Sequence, residues 1–259
     1  MENRVVYYTD ELNDEFSGTK ITRRPLPKNY KYYHSNIVYR FLSALIYYLA
    51  LPWLWIVLKC KGYRVKGGKN VRRLRKQAVF FYGNHTSISD ALVTQAFVSR
   101  GKKTYIVCNQ DTTSIKGIRW LVKLLGAIPT PENPEEAKKF VECIEYHASR
   151  KKGIAIFPEA HIWPYSTHIR PFPDDSFVYP AKSGAPVIAF ATTYRARKNK
   201  KKPPLPTVHV SRPFYPDMNK SLAERKKELR NQVYDFLLEK AAEEENYEYI
   251  AYVRKKEGE

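Results

Sequence analysis

"AVFFYGNHTSISD", residues 78–90, changes character in its middle. Ala78 to Tyr82 is an uninterrupted apolar run ending on Gly83, the pattern of a buried strand, and the residues after it are mostly small and polar. Asn84, Thr86 and Ser87 suit the cap of a following helix. A histidine just past a strand end lies in the crevice where open α/β sheets place their sites. Asp90 then falls just inside the helix, near enough to His85 to bond one imidazole nitrogen and leave the other free. That is the base-and-orienter arrangement of general-base catalysis. A solvated histidine in a helix-cap turn would give the same local pattern. Of the six histidines, His85 alone has an aspartate five residues on.

The same alternation of apolar run and polar turn recurs downstream. "TYIVC" (104–108), "GIAIFP" (153–158) and "APVIAFAT" (185–192) read as buried strands, and "TVHVS" (207–211) as a further one. Helical patterns fall between them at 88–99, 115–125 and 134–150. Asn133 is the expected N-cap of the last, with Pro134 in its first turn. Residues 220–245 form a long amphipathic closing helix, and "RARKNKKKPP" (195–204) a basic loop. The expected fold is α/β, a mixed and mostly parallel sheet flanked by helices.

Upstream the chain is different. Residues 37–58, "IVYRFLSALIYYLALPWLWIVL", carry no charge from Phe41 onward. As one helix they would span about 33 Å, near the thickness of a bilayer core. Pro52 is expected to kink or break that helix, giving either one kinked transmembrane helix or two shorter ones in one leaflet. A buried core helix is the soluble alternative. Residues 59–76 then hold nine positive charges and no negative one, as expected beside an anionic cytoplasmic leaflet. A membrane-inserted, non-spanning segment fits best. The expected organisation is a polar leader (1–35), a membrane-inserting helical segment (36–60), and an α/β domain with its C-terminal helix (61–259).

The whole chain has 45 Lys and Arg against 26 Asp and Glu, a net charge of +19. Such an excess suits an anionic partner: membrane lipid, nucleic acid, coenzyme phosphates or an acidic carrier protein. Three cysteines without CxxC spacing argue against a disulfide framework or zinc site and for a reducing cytosolic compartment. A nucleic-acid-binding protein is the rival class, supported by charge alone. It lacks a recognised binding motif and leaves the apolar segment unexplained.

A second motif, "IFPEAHIWP" (156–164), ends another strand in Phe157-Pro158-Glu159. "NHTSISD" followed some seventy residues later by "FPEA" resembles the glycerolipid acyltransferase family, whose bacterial members include lysophosphatidic acid acyltransferase. That family has a first block N-H-x4-D and a third block F-P-E-G-T-R. "GIRWLVKLLGAIPTP" (117–131) resembles its second block and "GAPVIAF" (184–190) its fourth. The resemblance runs over residues 35–215. It implies that His85 is the catalytic base, Asp90 its partner, and Glu159 part of the acceptor's glycerol and phosphate site. It also implies an N-terminal pair of helices in one leaflet; the basic run and the cysteine usage point to a catalytic domain on the cytoplasmic side of the cell membrane.

The implied reaction moves an acyl chain from a thioester, acyl-CoA or acyl carrier protein as co-substrate, to a lyso-glycerolipid, most simply 1-acylglycerol 3-phosphate. No metal or bound cofactor is expected, because a thioester is already activated. The chain departs from the family where Ala160-His161-Ile162 replaces Gly-Thr-Arg, losing the arginine that grips the acceptor's phosphate. Arg170 and Lys182 are the expected replacements; His161 and His168 are expected to be loop residues. A non-phosphorylated lyso-lipid or glycolipid is the alternative acceptor.

Overall fold

The computed structural model describes residues 4–18, 25–114, 117–243 and 245–255. In chain order the elements are β1 (Val5–Tyr8), α1 (Ile37–Cys60), β2 (Arg64–Lys66), a 3-10 helix (Gly68–Leu74), β3 (Val79–Gly83) and α2 (Asp90–Val93), prolonged by a π turn (Thr94–Val98). Then come β4 (Thr104–Cys108), α3 (Arg119–Leu124), β5 (Ala127–Pro129), α4 (Pro134–Ser149), β6 (Gly153–Ile156) and α5 (Val178–Ser183). The chain closes with β7 (Val187–Arg195), β8 (Leu205–Val210), α6 (Leu222–Ala241) and β9 (Ala251–Arg254). The helix expected over 115–125 is observed from Arg119; residues 115–116 lie outside the described set.

Seven strands form one sheet in the order β2-β8-β7-β3-β6-β4-β5. Every neighbouring pair is parallel except β7 and β8. β3 sits at the centre, so the loop that leaves it carries His85 out over the middle of the sheet's C-terminal edge.

Period-two alternation sends the central strands into two cores. Phe80 and Tyr82 of β3 join Phe140 and Ile144 of α4 and Leu229, Val233 and Leu237 of α6 on one face. Val79 and Phe81 join Leu58, Leu74, Phe97 and Phe190 on the other. Two helices carry the caps that their sequences call for. Asn133 accepts from the Glu136 N–H, with Pro134 in the first turn, and Ser221 forms a capping box with Glu224.

Two linked expectations need correction, the kink or break at Pro52 and the N-terminal pair of helices. Pro52 does not break α1, which runs unbroken from Ile37 to Cys60. Pro52 lies on the exposed side of the helix, so the Tyr48 carbonyl it leaves without a helical donor is not sealed in the core. α1 is the one helix among the described residues long and apolar enough to cross a membrane, yet it lies along the body. Ser43, Tyr47 and Leu58 are buried, Ser43 Oγ donates to the Leu124 carbonyl at 2.7 Å, and Tyr47 Oη donates to that of Lys102 at 3.2 Å. Ile37, Phe41, Leu45, Leu49, Trp53 and Ile56 form its exposed face.

The described part of the polar leader is likewise no free tail. β1 pairs in parallel with β9, from Val5 beside Ala251 to Tyr8 beside Arg254. The two ends of the chain form a second, two-stranded sheet, and the sequence reading placed no strand at either.

Candidate active site

β3 ends at Gly83, where a Cβ would come within 2.3 Å of the Phe190 ring, so this close approach of β3 and β7 admits only glycine. The next residue ties the loop down. Asn84 donates to the Thr192 carbonyl at 3.0 Å and accepts from the Thr192 N–H at 2.8 Å. Thr86 Oγ1 accepts from the Tyr194 hydroxyl at 2.7 Å. His85 is held between these anchors.

His85 Nδ1 lies 3.0 Å from Asp90 Oδ2. The same oxygen accepts the N–H groups of Thr86 and Ser87, each at 2.8 Å. A carboxylate surrounded by donors is an acceptor, so Nδ1 carries the proton and Nε2 is left as the basic nitrogen. Nε2 has no partner among the described residues. The His85 side chain is 16% exposed and that of Asp90 only 1%: the base reaches the surface and its orienting acid does not. Phe157 stacks on the imidazole at 4.4 Å and 17°, restricting its rotation. The sequence reading left Phe157, Asn84 and Tyr194 without a part in the site. Phe157 adjoins Glu159 in the third block, and Asn84 opens the first block, where it was expected to cap the next helix and instead binds Thr192; nothing local marks Tyr194.

The third-block loop lies directly beside this one. Glu159 Oε2 accepts the His85 N–H at 3.1 Å, and the His85 carbonyl accepts the Trp163 N–H at 3.1 Å. Arg170 reaches Glu159 twice, from its N–H at 3.2 Å and from Nη2 at 3.0 Å. It also donates to the His161 carbonyl and lies over the Trp163 ring at 4.8 Å. Burial pushes the Glu159 carboxyl upward, while the Arg170 guanidinium and the two N–H donors oppose that push. With donors alone around it, the ionised carboxylate is the form this pocket satisfies.

The sequence-based assignment of Arg170 as a solvent-facing phosphate grip is therefore corrected. Its side chain is 1% exposed and its charge is matched inside the protein. Lys182 is corrected too. α5 leads into the N-terminal end of β7, whereas His85 follows the C-terminal end of β3, and the two strands are parallel. Lys182 thus sits at the opposite edge of the sheet, exposed and 3.1 Å from Glu145.

His161 and His168 hold the N-terminal segment. His161 Nδ1 lies 3.1 Å from Glu15, and His168 Nε2 lies 2.5 Å from Glu11. Trp163 donates to the Asp14 carbonyl at 2.8 Å and stacks on Tyr252 of β9 at 4.7 Å. The two chain ends thus clasp the third-block loop. Among the described residues no group of three His, Cys, Asp or Glu side chains could hold a metal ion.

Residues 62–193 match the family described as Acyltransferase, just over half of the chain. The chain belongs to the acyltransferase family. His85, Asp90 and Glu159 all lie within the matched span, and the acyltransferase shares its fold with a solved structure. That structure is the 1-acyl-sn-glycerophosphate (LPA) acyltransferase PlsC from Thermotoga maritima, 18% identical, with a TM-score of 0.55. The alignment covers 78% of this chain and 80% of that one. No curated protein matches the chain in sequence.

Proposed function

We propose that this acyltransferase is bound to a membrane surface and esterifies a lyso-glycerolipid, 1-acylglycerol 3-phosphate in the simplest case, using a thioester donor. The observation that carries the reading is His85: Nδ1 is fixed by a sealed Asp90, and Nε2 is unpartnered near the surface. Nε2 takes the proton of the acceptor hydroxyl as its oxygen attacks the thioester carbonyl. Asp90 stabilises the imidazolium that forms. Collapse of the tetrahedral adduct expels the thiolate, which recovers the proton from Nε2, leaving ester and free thiol.

Phosphate on either substrate needs cations, and Arg170 is not among those facing solvent. A cavity of about 420 Å³ adjoins the histidine loop through Ser87 and Ser89 and is lined by Lys61, Arg197 and Lys202. These three supply charge for the phosphates of a coenzyme or of the acceptor.

The membrane reading is supported by α1. A helix packed lengthwise on a polar body by Ser43, Tyr47 and Leu58 suits lying in the interface more than crossing the bilayer. Its exposed apolar face would then enter one leaflet.

The deciding experiment is a lipid-product assay. 1-Acylglycerol 3-phosphate and phosphate-free lyso-lipids are offered in turn with acyl-CoA and with acyl carrier protein. Ester formation on the phosphorylated acceptor, lost in His85→Ala, is expected. Turnover only on phosphate-free acceptors would replace the acceptor assignment, and absence of product from every pair would overturn the reading.

A further inference from the structure

A second cavity lies at the other edge of the sheet. It is about 250 Å³ in volume and is bounded by the start of α1, the residues just before β4 and β6, the start of β5 and the end of α4. Arg40, Lys103, Lys123, Arg150 and Lys152 line it, and among the described residues no carboxylate does. In a chain with 26 acidic residues, five converging cations without a counter-charge form an unbalanced cluster. None of the five is in an ion pair among the described residues.

Aromatic rings and one hydroxyl position three of the cations instead. Lys103 is buried, donates to Ser43 Oγ at 2.6 Å, and lies near the Tyr47 and Tyr105 rings. Lys123 stands over Tyr30 at 4.4 Å and Arg150 over Tyr146 at 4.9 Å. Ring contacts orient an ammonium or guanidinium while leaving its hydrogen-bond donors free for an anion.

We propose that this cavity is a binding site for a phosphate group, separate from the acyl-transfer centre. Its size admits a phosphate and a small polar head, falling below the roughly 300 Å³ at which pockets for drug-sized ligands begin. Mutual repulsion supports the reading. Burial first, then Lys152, lowers Lys103 to about 8, and burial followed by Arg40 and Arg150 lowers Lys152. Among the described residues the charged neighbours that lower these two amines are cations, so a bound anion relieves the strain of holding them together.

Two sources offer such a phosphate: an anionic lipid headgroup, or phosphate free in solution. The cavity's rim includes Ile37 and Phe41, which begin the exposed apolar face of α1. A lipid whose headgroup fills the cavity can lay its chains along that face. The lipid source rests on the membrane reading above; the site itself does not.

The test compares three full-length proteins by vesicle sedimentation: wild type, Arg40→Gln/Lys123→Gln, and Arg72→Gln/Arg73→Gln. The last removes equal charge from the exposed basic 3-10 helix. Neutral phosphatidylcholine vesicles are used alone and with added phosphatidic acid, and each protein is also titrated with inorganic phosphate by calorimetry. Thermal melts establish that all three are folded. The expected result is equal binding to neutral vesicles by all three. The cavity variant alone should lose about tenfold in affinity for phosphatidic acid beyond the control's loss, together with phosphate binding.

Equal losses in cavity variant and control would overturn the site, reducing the effect to general surface charge. If wild type fails to bind neutral vesicles, the membrane reading falls. The site then stands, with solution as its source, only if inorganic phosphate binds wild type and not the cavity variant. Phosphate binding by neither overturns it.

Discussion

The loops after β3 and β6 each bury a carboxylate, and the difference between them separates chemistry from scaffolding. Asp90 is paired with an imidazole whose far nitrogen is unpartnered near the surface. Glu159 is paired with a guanidinium as deeply buried as itself, and its other donors are backbone N–H groups. In the proposed mechanism, one carboxylate orients the group that takes the acceptor's proton and returns it. The other fixes two loops against each other through a buried ion pair and backbone N–H groups. Two acids that both bind His85, one at its side chain and one at its backbone N–H, are equally sealed while their partners have opposite relations to solvent. The exposure of the partner, more than the burial of the acid, distinguishes them.

The largest expected effect falls on the first pair. His85→Ala should lower kcat by about 10²- to 10⁴-fold with an unchanged melting temperature, and Asp90→Asn should fall in the same range. Steady-state kinetics on protein verified as folded is the measurement. Near-normal turnover in either variant would erase the distinction between the two loops.

The second pair should respond in stability. Arg170→Met strands the Glu159 charge in the core, so denaturant unfolding should show a loss of about 3–5 kcal/mol. The double variant Glu159→Gln/Arg170→Met should recover part of that loss, because no buried ion then lacks its partner. A stable Arg170→Met protein with a selectively raised acceptor KM would reverse the assignment and return Arg170 to a substrate-gripping role.

The smallest effect sharpens the picture of the third-block loop. Ala160 has φ of 63°, in the left-handed region that glycine adopts without strain. The family pattern has glycine at this position. Ala160→Gly should therefore stabilise the protein by up to about 1 kcal/mol, read from thermal or denaturant melts, with little change in kcat. A loss of stability would mean that the alanine methyl makes a contact outweighing its backbone strain.

Much of this was legible in the sequence because the relevant signals are local. Unbroken apolar runs such as 79–82 and 187–191 marked strands buried on both faces, and the change of pattern at Gly83 marked the strand end carrying His85. The five-residue spacing to Asp90 fits within a single turn. α1 was recognisable from charge and length, but its continuity through Pro52 was not. A missing helical hydrogen bond is tolerated or not according to what the freed carbonyl faces, and that is set by packing.

The sequence by itself determined the strands β3, β4, β6, β7 and β8 and the longer helices, the loop that holds the histidine, and the family to which the chain belongs. Tertiary structure decided who pairs with whom. Arg170 was assigned to substrate because it lies in the same loop as the missing third-block arginine and could reach its place, and only the fold turned it inward onto Glu159. Lys182 was the second candidate to replace that arginine, but strand direction carries it to the far edge of the sheet. The pairing of Val5–Tyr8 with Ala251–Arg254 joins segments almost the whole chain apart. The basic cavity gathers Arg40, Lys103, Lys123, Arg150 and Lys152 from α1, α3 and the turns before β4 and β6. Local composition determines backbone preference and burial tendency; which charges end up neutralised depends on contacts between residues distant in sequence, and only the folded chain brings those together.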